Sequence, residues 1–192
     1  MFYLCSNRTR LHPLRTAGES FFYNNESKSK NNSAANSYTQ IKRNPDAWMI
    51  FETATFGTLS KMYKNLKNQS PLKSRIANEL GLYSARDLSS WLEAISVLRN
   101  TIAHHSRIWY RIFSKKPTNI RGHRYDWMAQ DMTEHQRKRA FGVISCLLYL
   151  CNAINPVNTI KDDIKTLFRS MPDVPIFMIG FSRGWENNPL WK

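Results

Sequence analysis

The chain has 192 residues, 42% of them hydrophobic and 12% aromatic, enough for a real core and enough to exclude a fully disordered polypeptide. Seven glycines and eight prolines exclude collagen-like and Pro/Gly low-complexity classes. Twenty-eight Lys/Arg against fourteen Asp/Glu leave a net charge of +14, which points to a polyanionic partner, nucleic acid before an acidic membrane surface. The length predicts about one domain. The three cysteines, Cys5, Cys146 and Cys151, form neither a disulfide framework nor a CxxC pair, which suits a reducing compartment without structural zinc. The longest apolar run, 143–151, is too short for a membrane span of about 20 residues. No signal peptide is apparent, so the expectation is a cytoplasmic protein without membrane attachment.

Along the chain, residues 1–45 read as a loop-rich segment. Asn24 to Tyr38 is too polar to offset its ordering entropy, and the aromatics Phe2, Tyr3, Phe21, Phe22 and Tyr23 are expected to dock locally. From residue 46 the pattern is helical. Phe56, Leu59, Met62, Tyr63 and Leu66 recur at helix-face spacing over 55–68. Ser70-Pro71 predicts an N-cap and first helical position, with Gly81 stopping that helix. Ser84 with Asp87 starts the next one, predicted to run to about Tyr110 on the stripe Leu88, Trp91, Leu92, Ile95, Leu98, Ile102 and Trp109. A basic connection covers 114–133, further helices are predicted over 134–153 and from Asn155-Pro156 to about 171, and the tail 172–192 reads as irregular and packed on the body through Trp185 and Trp191. Cys146 and Cys151 read as buried small hydrophobes. With no strand alternation, the predicted fold class is an all-α bundle.

The informative stretch is Leu98 to Arg111. On a helix at about 100° per residue, with Leu88 at zero, the apolar stripe clusters between roughly 280° and 40°. Asn100, His104, Arg107 and Arg111 then form one polar stripe between roughly 100° and 160°. Arg99 falls at the edge of the apolar face, and His105 opposite, nearer the core. Residues 99–139 hold ten Lys/Arg against three acids, together with four of the five histidines. Imidazoles among guanidinium groups suit phosphodiester chemistry, because histidine moves protons near neutral pH and arginine binds phosphate and stabilises added negative charge. Arg107, Arg111, Lys115 and Lys116 are the candidate contacts to an RNA backbone. The plainer alternatives are that His104-His105 is a structural pair, that Arg99 pairs with a buried carboxylate, and that the run 137–139 is a solvated helix face. A metal site is disfavoured, since adjacent helical histidines diverge and no acid lies within a turn of them. No cofactor is expected.

Arg99-Asn100-x-x-x-His104 resembles the Arg-polar-x-x-x-His motif of HEPN ribonucleases. Residues 98–109 more narrowly resemble the signature of Abi-like proteins, the AbiD/AbiF type of bacterial abortive-infection protein. Phe56-Gly57-Thr58-Leu59-Ser60, Ser90-Trp91-Leu92 and Met178-Ile179-Gly180-Phe181 followed by Trp185 and Pro189-Leu190-Trp191 resemble three other segments of that family, in order. The likeness covers about residues 46–192, whereas 1–45 fit it poorly, so the chain reads as N-terminally short. The resemblance implies an all-α HEPN domain over 46–192 and a metal-independent endoribonuclease of phage defence. It further implies a homodimer with a composite cleft, and a candidate antitoxin or noncoding RNA partner. It assigns Arg99 to the scissile phosphate, Asn100 to orienting the histidine or substrate, and His104 to proton transfer with the ribose 2′-hydroxyl as nucleophile. His105 is assigned to RNA binding. The alternative is a catalytically inactive HEPN-like module that binds RNA or a partner.

Overall fold

The computed structural model describes residues 47–68 and 70–192, with side chains from residue 50 onward. These lie in the compact unit Pro45–Lys192. The expectations for residues 1–45 lie outside the described residues.

Seven α-helices follow in order: α1 (Ala47–Thr53), α2 (Phe56–Asn65), α3 (Pro71–Glu79), α4 (Ala85–Ala103), α5 (Glu134–Arg137), α6 (Ala140–Ile154) and α7 (Ile160–Arg169). Three short 3-10 turns (Ile176–Ile179, Trp185–Asn187 and Pro189–Trp191) complete the tail. Among the described residues the only β pairing is an isolated antiparallel bridge between Leu82 and His123. The unit is all-α, as the absence of alternation predicts. No helix of the described residues is long and apolar enough to cross a membrane.

Helix starts follow local chemistry. The Thr55 hydroxyl accepts from the Thr58 amide at the head of α2, and Ser84 accepts from the Asp87 amide at the head of α4. Pro71 occupies the first position of α3, where its missing N–H costs nothing. Gly81 ends α3 with φ +78°, the left-handed conformation that closes a Schellman motif: its own amide reaches the Asn78 carbonyl, and the Leu82 amide reaches that of Ala77. A Cβ there would sit 2.6 Å from the Tyr125 ring, so close packing demands glycine as well.

The core lies between α4 and α6. Nine of the fifteen residues of α6 are buried, consistent with a helix that is apolar around most of its circumference. Trp91 of α4 stacks on Trp127 at 4.8 Å, and both meet Tyr149 of α6 edge-on at 5.5 and 5.6 Å. The polar ends of these rings are satisfied. Trp91 Nε1 donates to the Thr118 carbonyl (2.9 Å), and Tyr149 Oη donates to that of Gly81 (2.8 Å). The tail docks through a second aromatic cluster of Phe141, Phe168, Phe181, Trp185 and Trp191, with Trp191 Nε1 donating to Ser145 Oγ.

Three predicted boundaries change. The helix predicted over 134–153 is two helices, because Arg139 is extended (φ −119°, ψ 176°). The α5 turn folds back so closely that a Cβ on Gly142 would lie 2.7 Å from the Gln136 carbonyl oxygen. The predicted restart at Asn155-Pro156 is a turn, and α7 begins only at Ile160. Most consequentially, α4 ends at Ala103 rather than near Tyr110.

Candidate functional site

The end of α4 is a second Schellman motif, built without glycine. His104 is the C-cap, its amide bonded to the Asn100 carbonyl (3.0 Å). His105 follows in the left-handed region at φ 51°, its amide reaching the Ile102 carbonyl, while the Ser106 amide reaches that of Thr101 (both 2.9 Å). A β-carbon in this conformation costs about 1–2 kcal/mol, although histidine tolerates it better than most residues. Beyond it the chain is irregular, and Tyr110 also has positive φ, at 60°. Ile108 and Trp109 are partly buried against the core from this irregular segment, which is why their apolar spacing mimics a continuing helix.

The predicted stripe is therefore divided. Asn100 lies on the last turn of α4, His104 caps it, and Arg107 and Arg111 follow in non-helical backbone. All four are exposed. His105 is exposed as well, not turned toward the core. Arg99 is exposed, and its guanidinium donates to Asn100 Oδ1 at 3.2 Å. Among the described residues it has no carboxylate within ion-pair distance, contrary to the buried-pair alternative. Ile102, predicted on the core face, is 53% exposed, and Thr101 takes the buried position, its hydroxyl donating to the Val97 carbonyl.

The four clustered histidines differ in availability. His135 Nε2 accepts from Arg139 Nε at 2.8 Å and its ring stacks on Phe177. Burial, reinforced by the Arg139 charge, lowers its pKa from the ordinary histidine value. His123 Nδ1 donates to the Tyr125 carbonyl at 2.7 Å. The rings of His104 and His105 make no hydrogen bond within the described protein and stand open to a ligand.

The basic connection is less free than its composition suggests. Lys115 pairs with Glu93 at 2.9 Å, and Lys116 with Glu134 at 2.7 Å. The run 137–139, read as a solvated face, is half-buried bracing: Arg137 Nε donates to the Pro117 carbonyl, Lys138 pairs with Glu134, and Arg139 holds His135. The unpaired cations flanking the two open imidazoles are Arg107 and Arg111, the latter with its guanidinium 6.0 Å from the Phe113 ring centre. Sequence reasoning passed over Glu93, whose carboxylate accepts from both Lys64 (3.3 Å) and Lys115. Those bonds, Lys115 first, hold its pKa below the ordinary carboxylate value. Its only signal was being the lone acid on the polar side of α4. Among the described residues no group of three or more His, Cys, Asp or Glu could hold a metal ion.

Fold and site together define an all-α domain whose longest helix delivers an arginine, an asparagine and an unpartnered histidine at its C-terminal end. The chain belongs to the Abi-like protein family, whose model matches residues 7–110. That family places it among abortive-infection proteins, which act in defence against phage. The matched stretch runs through α4 and both histidines, includes most of the segment before residue 45, and stops before the tail. Comparison with curated proteins and with solved structures gives no significant match.

Proposed function

We propose that the chain is a HEPN-type endoribonuclease acting in abortive infection. What carries this reading is the end of α4, where Arg99, Asn100 and His104 are all exposed and where, among the described residues, His104 has no partner and Arg99 no carboxylate. An arginine not neutralised by the protein is available to a phosphate, and an imidazole with no internal bond is available to a proton in transit. In this scheme the ribose 2′-hydroxyl attacks the adjacent phosphorus, its proton passing to His104. Arg99 stabilises the added negative charge, and the P–O5′ bond breaks, the departing 5′-oxygen taking a proton from water, to leave a 2′,3′-cyclic phosphate and a 5′-hydroxyl. Asn100 fixes the Arg99 side chain through their hydrogen bond. His105, Arg107 and Arg111 hold the flanking backbone.

The site is proposed to be completed by a second copy. Ile102, Tyr110 and Ile112, beside the motif, are 53%, 53% and 63% exposed, an apolar fringe suited to pairing two α4 ends across one cleft. The competing reading, a binding module without catalysis, draws on the same observation that no group among the described residues orients the His104 ring.

The test is RNA cleavage in excess chelator, with end-group analysis, by wild type, Arg99→Ala and His104→Ala. Losing the proton-transfer group is expected to slow cleavage by about 10²–10⁴-fold. Losing the anion contact is expected to cost about 10²–10³-fold. Both variants should keep the wild-type melting temperature, since neither side chain is buried. Undiminished cleavage by His104→Ala overturns the assignment. Binding without cleavage by the wild type favours the binding module.

A further inference from the structure

A cleft of about 700 Å³ opens where the end of α2, the start of α3 and the first half of α4 meet. Lys64, Lys73, Arg86, Ser89 and Glu93 are among its lining residues, three cations against one acid. Lys73 is only 4% exposed, and its ammonium is held by neutral acceptors alone: the Lys64 and Leu66 carbonyls (2.9 and 3.1 Å) and Asn68 Oδ1 (2.9 Å). No carboxylate of the described residues lies within ion-pair distance of it, so a buried positive charge is left without a counter-charge. Arg86 is exposed, and neither its guanidinium nor the Ser89 hydroxyl has a partner among the described residues. Glu93, the single acid, is neutralised by Lys64 from α2 and Lys115 from the connection after α4.

This cleft shares a face with the motif. At about 100° per residue, Arg86, Ser89, Glu93 and Asn100 fall within an arc of roughly 60° on α4. Arg86 lies about 21 Å from Asn100 along the helix axis, and Glu93 about 10 Å. A ligand that is anionic at regular intervals would meet cations at both ends of that face.

We propose that the cleft binds a phosphate group of the RNA strand, several nucleotides away from the one at Arg99 and His104, with Arg86, Ser89 and Lys64 as its direct donors. This rests on the nuclease reading for the strand's position but not for the binding itself. Lys73, its three protons already used, contributes charge and not a contact. Glu93 acts as a restraint, keeping Lys64 and Lys115 from the strand until phosphate competes for them.

The experiment measures binding of long and short single-stranded oligoribonucleotides at several salt concentrations, with every variant made in a His104→Ala background so that RNA survives. Arg86→Ala is expected to weaken long RNA several-fold and to reduce the salt slope by about 0.7, the value of one phosphate contact on a single strand. Short RNA that reaches only the motif is expected to bind unchanged. Arg86→Lys should restore most of the slope. Glu93→Gln should move the other way, tightening long RNA, which a merely structural role for Glu93 does not predict. Unchanged affinity and slope in Arg86→Ala overturn the proposal, as does a His104→Ala parent that binds no RNA. A free nucleoside monophosphate that raises the melting temperature unless Arg86 is removed, without any Arg86 effect on RNA, identifies a nucleotide site and overturns RNA as the occupant. Wild-type protein that cleaves RNA while Arg86 proves irrelevant leaves the nuclease reading intact. An Arg86-dependent salt slope without wild-type cleavage leaves the phosphate site standing alone.

Discussion

At the scale of single residues, the conformation of His105 separates stability from function. A left-handed histidine that ends a helix does what glycine does at lower cost, as Gly81 does at the end of α3. His105→Gly is therefore expected to stabilise the fold by about 1 kcal/mol. For a chain of this size that raises the melting temperature by roughly 2–4 °C. The same substitution removes one of two unpartnered imidazoles at the site, so RNA affinity should fall. Calorimetry beside an RNA titration checks both signs, and a loss of stability would show that the ring makes stabilising contacts that outweigh the relief of backbone strain. A histidine standing where glycine would relieve strain is the pattern expected of a residue serving a ligand.

At the scale of elements, the positions of the helices depend on a few close approaches. Gly81 joins α3 to the Tyr125–Tyr149 pair. An alanine there meets both the positive φ and ring atoms at 2.6 Å, with Tyr149 Oη at 2.8 Å. Gly81→Ala is expected to cost more than about 2 kcal/mol, read as a lowered urea midpoint with unchanged slope. Glu134 ties α5 to the connection ahead of it. Hydrogen bonds from Lys116 and then Lys138 lower its pKa from 4.5 to about 2. Because the folded value lies below the unfolded one, this contribution is fully present above pH 4.5 and is lost as pH falls toward about 2. The difference in melting temperature between wild type and Glu134→Gln should close over that window. A difference that stays constant would place the coupling elsewhere.

At the scale of the whole molecule, the net charge of +14 is distributed in a way composition conceals. Lys115, Lys116, Arg137, Lys138 and Arg139 are engaged within the described unit, whereas Arg99, Arg107 and Arg111, at and just beyond the end of α4, have no acid bonded to them among the described residues. Exposed apolar side chains lie beside those free cations, the combination expected of a surface that pairs with a copy of itself while gripping an anion. Ile102→Asp tests the pairing. Its side chain is 53% exposed, so the fold should survive, while light scattering should show loss of the proposed dimer and cleavage should fall with it. A variant that stays dimeric and active would place the partner surface away from the motif.

The sequence by itself determined the all-α class, the starts of α2, α3 and α4, the stop at Gly81 and the docking of the tail through Trp185 and Trp191. Each of those signals is local: a hydroxyl that accepts from an amide three residues on, a glycine that alone relaxes at positive φ, an aromatic too large to leave in water. Tertiary structure alone decided where α4 ends, because its terminator is a histidine and the apolar spacing continues through Ile108 and Trp109, which reach the core from irregular backbone. It also decided the break between α5 and α6, enforced by Phe113 bonding to the Lys138 carbonyl and by Arg137 bonding to that of Pro117. The motif Arg99-Asn100-x-x-x-His104 was legible because four of its five steps lie within one helix. The cleft lined by Lys64, Lys73 and Arg86 was not, because long-range packing of α2 and α3 on α4 creates it, and no local pattern records which cations that packing leaves without an acid.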